Sequence, residues 1–149
     1  KKAVEIGNRY DTRIILHSFP QAAAKLGCSA VHLPLDVLKS TSPEALKKFK
    51  TLGTSCHSVQ DAVDAEALGC TYIIAGHIFA TDCKKGVPPR GLEFLSSVCK
   101  AVSIPVWAIG GITPKKIPQI KACGAKGGCI MSGLMECENV EEYLKHSMP

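Results

Sequence analysis

Along this chain, short apolar runs alternate with longer stretches in which apolar positions recur every three to four residues. The runs cover residues 13–16, 30–33, 54–57, 72–75, 105–109 and 128–131. Each is short and mostly apolar or β-branched, which suits strands of a parallel sheet buried on both faces. Between them, residues 19–26 and 59–68 are Ala-rich with helical spacing. Gly27, Gly69 and Gly124 each follow the last periodic residue of a helix, where a left-handed residue closes the final turn. Ser58 and Thr113 are placed to cap helix N-termini, the latter just before Pro114. Asn139-Val140-Glu141-Glu142 opens a last helix with acidic residues in its first turn. Residues 1–10 read as the middle of an amphipathic helix, so the chain is expected to start partway through an element.

Strand–helix alternation of this kind predicts an α/β fold with a parallel sheet. A doubly wound open sheet and a closed barrel both produce it. No G-x-G-x-x-G follows a predicted strand, which weakens the dinucleotide-binding option. The glycine signals come late instead, as Gly110-Gly111 after one strand and Ser132-Gly133 after the next. Loops after the last two strands are where phosphate-binding barrels hold their phosphate. The expected fold is a (β/α)8 TIM barrel. Residues 1–149 would form one partial domain lacking the first one or two β/α units, because six strands are legible where a barrel has about eight. Open sheet edges invite pairing. An upstream segment or another chain is expected to cover the gap, and a homo-oligomer is the expected assembly.

Composition narrows the function classes. The chain is 46% hydrophobic and 21% charged, enough apolar content for a core and too little charge for disorder. No apolar run approaches the roughly 18 residues of a membrane span, and no basic-then-apolar leader opens the chain. A cytoplasmic protein is expected. The net charge of +5 comes mostly from scattered lysines, and aromatic residues make up only 5%. That argues against nucleic acid and suits capture of a small phosphorylated substrate. The eight cysteines form no C-x-x-C pair, and no His pair has zinc-finger spacing. They read as reduced core and loop residues.

Three segments hold candidate chemistry. Gly110 and Gly111, then Met131, Ser132 and Gly133, would let backbone N–H groups approach an anion, with the Ser132 hydroxyl added. The segment from Gly76 to Gly86 follows an apolar strand and so lies on the active-site face of a barrel. It supplies His77, which can exchange protons near neutrality, the cation Lys84, and the small polar residues Thr81 and Cys83. In Ser55-Cys56-His57, alternation along a strand points Ser55 and His57 one way and Cys56 the other, which argues against a Cys–His nucleophile pair. His32 and His57 read as hydrogen-bonded structural residues.

In this order, the segments resemble the family of thiamine phosphate synthases and TenI-type thiazole tautomerases. Gly53-Thr54-Ser55-Cys56-His57-Ser58 resembles its Gly-x-Ser-x-His strand, and Val31-His32-Leu33 its Val-His-Leu strand. Pro105-Val106-Trp107-Ala108-Ile109-Gly110-Gly111-Ile112 resembles its Pro-x-x-Ala-Ile-Gly-Gly-Ile signature. Synthases carry Gly-Pro where this chain has Gly76-His77, followed by Thr-x-Thr-Lys. Here Thr81-Asp82-Cys83-Lys84-Lys85-Gly86 follows, which resembles the TenI branch, with His77 at the position of its proposed acid/base. Synthases bind magnesium through an Asn-Asp pair after the Ile-Ile strand. Here His17-Ser18 stands there, and Val37, beside Asp36, replaces a second Asp.

The resemblance implies a cofactor-free tautomerase acting on a thiazole phosphate, without metal. His77 would move the proton, Ser55, Thr81 and Lys84 would contact substrate, and the two glycine loops would hold phosphate. Lys84 would either bind the substrate carboxylate or cap its loop. Two alternatives stand beside this reading: a magnesium-dependent thiamine phosphate synthase, and a non-catalytic phosphate-binding regulator.

Overall fold

The computed structural model describes residues 1–10 and 12–145. The elements run α1 (Lys2–Gly7), β1 (Leu16–His17), α2 (Pro20–Lys25), β2 (Ala30–Leu33), α3 (Leu35–Ser40), α4 (Pro43–Leu46) and β3 (Thr51–Cys56). Then come α5 (Val59–Ala67), β4 (Tyr72–Gly76), α6 (Gly91–Ala101), β5 (Val106–Ile109), α7 (Ile117–Ala122), β6 (Gly127–Cys129), α8 (Ser132–Glu136) and α9 (Val140–Lys145). The six strands form one sheet in sequence order, and every neighbouring pair is parallel. This is the strand succession of a (β/α) barrel, left unclosed.

Several boundaries differ from the sequence pattern, each for a local reason. β1 is only Leu16–His17, which pair with Val31 and His32 of β2. β3 starts earlier, at Thr51, and stops at Cys56. There the Asp61 carboxylate accepts the amides of His57 at 2.7 Å and Ser58 at 2.9 Å, turning the chain off the sheet. Ser58 caps α5 as expected, within a reciprocal capping box with Asp61. Thr113 makes no cap hydrogen bond; a 3₁₀ turn over Pro114–Lys116 intervenes before α7. Gly27, Gly69 and Gly124 have φ of 67°, 87° and 96°, the left-handed stops expected.

The strands are not buried equally on both faces. Val31, Leu33, Leu52, Cys56, Ile73, Ala75, Val106 and Ala108 point into the core with Ala23, Leu38, Ala62, Ala65, Leu95, Val98 and Ile120 of the helices. The alternate positions His32, Ser55, Tyr72, Ile74, Trp107, Ile109 and Cys129 line a cavity of about 740 Å³ on the other face. That face mixes polar and aromatic side chains with Ile74 and Ile109, which is where the apolar pattern of the strands breaks. Tyr72 lies across Gly53, where a Cβ would collide with its ring. Cys56 and Cys70 sit in the core, and burial pushes both thiols up to about 12. All eight cysteines are free. Among the described residues, no helix is long and apolar enough to cross a membrane.

Candidate active site

At the C-terminal ends of β3 to β6 lies a second cavity of about 250 Å³. It gathers Ser55 from β3, His77 after β4, Thr81 and Lys84 from the following loop, Gly110 and Gly111 after β5, and Met131 and Ser132 after β6. Residues far apart in sequence meet because parallel strands place all their C-terminal ends on one rim.

Gly133 does not line the cavity. It sits one position into α8, and its missing side chain leaves room for the Tyr143 hydroxyl. The other glycines also have packing reasons. Gly110 has φ 98° and Gly111 has φ 61°. A Cβ on Gly110 would fall on the Cβ of His77, and one on Gly111 on the carbonyl oxygen of Ala80. The two loops are further joined by Ile78 N–H to Ile109 O at 2.8 Å and Phe79 N–H to Gly110 O at 3.1 Å. Lys116 donates to Gly111 O at 2.6 Å and lies 4.3 Å from the centre of the Phe79 ring. Glycine is needed here so that two backbones can touch. Among the described residues, no turn or loop hydrogen bond uses the amides of Gly110, Gly111 or Ile112. Those donors, with the Ser132 hydroxyl, are what the cavity offers an anion.

His77 is 8% exposed. Its Nε2 lies 3.3 Å from the carbonyl oxygen of Val87. A carbonyl only accepts, so in the neutral ring Nε2 carries the hydrogen and Nδ1 keeps the lone pair. Lys84 lies in a 3₁₀ turn (Asp82–Lys84) and brings a cation to the cavity wall. Among the described residues, the lining includes no Asp or Glu.

Sequence reasoning had set His57 aside as structural. The structure gives it both a hydrogen bond, Nδ1–H to Gly76 O at 2.8 Å, and a place in the cavity wall. The available signal was its position immediately before the Ser58 cap at a strand end. Cys129 was missed too. It lines both cavities, and burial pushes its thiol pKa up.

His32 supports the site from behind. Its Nε2 is 2.9 Å from Ser55 Oγ, its Nδ1 is 3.0 Å from the Tyr72 hydroxyl, and His17 stacks on it at 5.3 Å. Burial first, then the neighbouring His17, lowers its pKa to about 4, so it is neutral at physiological pH.

The model of the family described as Thiamine monophosphate synthase (TMP-TENI) matches residues 1–134. A protein of Caldivirga maquilingensis called thiamine-phosphate synthase is 33% identical over 147 residues, covering 97% of this chain and 71% of that protein. Thiamine-phosphate synthase 2 of Streptococcus pneumoniae serotype 4 is 31% identical, covering 95% of this chain and 68% of its own length. Among solved structures, a thiamine phosphate pyrophosphorylase from Pyrococcus furiosus superposes with a TM-score of 0.79 at 27% identity, over 96% of this chain and 69% of that one.

Proposed function

This chain belongs to the Thiamine monophosphate synthase (TMP-TENI) family, and from that premise we propose that it is a thiazole tautomerase which aromatises a carboxythiazole phosphate by proton transfer. The observation carrying this reading is the setting of His77. It is a nearly buried imidazole with one nitrogen tied to a carbonyl and the other keeping its lone pair, in a cavity whose charged neighbour is Lys84.

The reaction moves one proton. His77 accepts it from C2 of the ring, the C–H electron pair enters the ring π system, and the proton is returned to the exocyclic carbon. Nothing is oxidised or expelled. Aromatisation drives the change, so the protein's task is to position the ring and carry the proton. The amides of Gly110 and Gly111 and the Ser132 hydroxyl would hold the phosphate. Ser55 and Thr81 form polar walls, and Lys84 complements the negative charge of the substrate.

A second reading, thiamine phosphate synthase, is favoured by the names of the curated relatives. It implies magnesium. A hard divalent cation is held by carboxylate and other oxygen ligands, and among the described residues neither of these two cavity linings contains a carboxylate. Asp36, beside the position of a synthase aspartate, is in neither lining. Among the described residues, that donor set argues against a magnesium site in these cavities.

The deciding experiment offers the full-length protein each substrate set. Disappearance of the non-aromatic thiazole isomer above the spontaneous rate, followed by absorbance without added metal, supports the tautomerase. Magnesium-dependent pyrophosphate release from a pyrimidine pyrophosphate and a thiazole phosphate would establish the synthase instead.

A further inference from the structure

We infer that His57 and Arg90 are positioning residues for His77, acting together through the carbonyl oxygen of Gly76. The inference rests on the reading of His77 as the proton carrier.

The Gly76 carbonyl ends β4 and leads directly into His77. It accepts two side-chain hydrogen bonds, from His57 Nδ1–H at 2.8 Å and from Arg90 Nε–H at 3.2 Å. A carbonyl oxygen has two lone pairs, and both are engaged. The donors come from separate segments, one just after β3 and the other just before α6. Neither is a chance neighbour. His57 is anchored by its own amide to Asp61 in the capping box of α5. The Arg90 guanidinium lies 5.5 Å from the centre of the Phe94 ring, and its amide donates to the carbonyl of His77 at 3.0 Å.

His77 is thus held on three sides: at its preceding carbonyl by His57 and Arg90, at its own carbonyl by the Arg90 amide, and at its ring by Val87. Both donors are largely exposed residues, whose long side chains lose rotamer freedom by fixing one carbonyl. That cost is repaid where a displaced proton carrier would be expensive, since a misplacement of about 1 Å can lower a rate by about 10²-fold. His57 and His77 each commit one ring N–H to a backbone carbonyl, but through opposite nitrogens: Nδ1 in His57 and Nε2 in His77.

The test compares His57→Ala, His57→Asn and Arg90→Ala in the full-length protein. An Asn side-chain amide places an N–H close to where imidazole Nδ1–H lies, but it cannot exchange protons. His57→Ala and Arg90→Ala should each lower kcat by about tenfold or more with KM nearly unchanged, and the double variant should lose less than the product of the two. His57→Asn should restore kcat to within about threefold of wild type. If His57→Asn is as impaired as His57→Ala, His57 handles the proton or the substrate itself and the positioning role is wrong. If His57→Ala keeps wild-type kcat, the role is also wrong.

A second readout needs no turnover. The ring-nitrogen chemical shifts of His77 report which nitrogen bears the hydrogen. Nε2–H should be nearly exclusive in wild type and His57→Asn, and the Nδ1–H form should rise toward its share in free histidine in His57→Ala. An unchanged ratio overturns the proposal. Should wild type fail to turn over the thiazole phosphate, the proton-transfer reading falls, and this ratio alone decides the clamp.

Discussion

The imidazole of His32 lies 2.9 Å from the Ser55 hydroxyl, so a wall residue of the site is held by a group that must stay neutral. The His32 pKa falls from 6.5 to about 4 on folding, through burial and then His17. Between those values the unfolded chain binds the extra proton and the folded one does not. Stability therefore falls as pH drops from about 6.5 towards 4, by on the order of 1–3 kcal/mol. Urea midpoints measured across this range should show the decline, and His32→Gln should flatten it. An equal slope in His32→Gln would assign the effect to another group.

His77→Asn keeps a polar side chain of similar reach but removes reversible proton exchange at this position. Tautomerisation should fall by roughly 10²-fold or more, the typical contribution of a general acid–base group. Binding of the thiazole phosphate, followed by calorimetry, should remain. Full activity would move the proton transfer to Lys84 or to the substrate's own groups.

Gly110→Ala should be costly out of proportion to one methyl group. The residue sits at φ 98°, and the added Cβ would meet the Cβ of His77. A non-glycine residue in such a conformation loses about 1–3 kcal/mol before any collision. A clear drop in thermal midpoint is expected, together with loss of turnover because the displaced atom belongs to His77. A variant with wild-type stability and rate would show that the loop relaxes freely.

Asp61 offers a second pH-linked test. Burial raises its pKa, but the amides of His57 and Ser58, the Ser58 hydroxyl and the nearby His57 together lower it. Its contribution is present above the unfolded carboxyl value and is lost as pH falls through the lower folded one. Asp61→Asn should cost about 0.5–1 kcal/mol at neutral pH, the scale of a helix cap. The gap from wild type should narrow in strong acid as the wild-type carboxyl protonates. A gap constant with pH would mean that shape, and not charge, is what Asp61 supplies.

The strand order and the rim of the site were legible because both follow from sequence alone: six apolar runs, each closed by a polar or glycine-rich loop. Ser55, His77, Lys84 and Ser132 could be placed together once the runs were read as parallel strands. The packing demand on the glycines was not legible. Gly110 reads as an anion loop, yet the neighbour that demands it is His77, 33 positions earlier in the numbering. Gly53 likewise makes room for Tyr72, whose hydroxyl then reaches His32. Helical and strand periodicity reports which face a residue occupies, and it carries no information on which loop will press against which. His57 was read as a hydrogen-bonded structural residue, and it is one, but its partner was not legible: the Gly76 carbonyl is backbone and leaves no mark in side-chain chemistry.

The pairing of the loop after β4 with the loop after β5 sets a smallest exchangeable unit for this scaffold. Backbone bonds from Ile78 to Ile109 and from Phe79 to Gly110 continue the sheet ladder past its strand ends, with no side chain between the two chains. His77 and the Gly110–Gly111 turn are therefore joined in one backbone-bonded piece. A graft that replaces the segment bearing His77 while leaving Gly110 and Gly111 behind inherits a mate cut for a different key. New chemistry on this rim is expected to arrive by exchange of both segments at once.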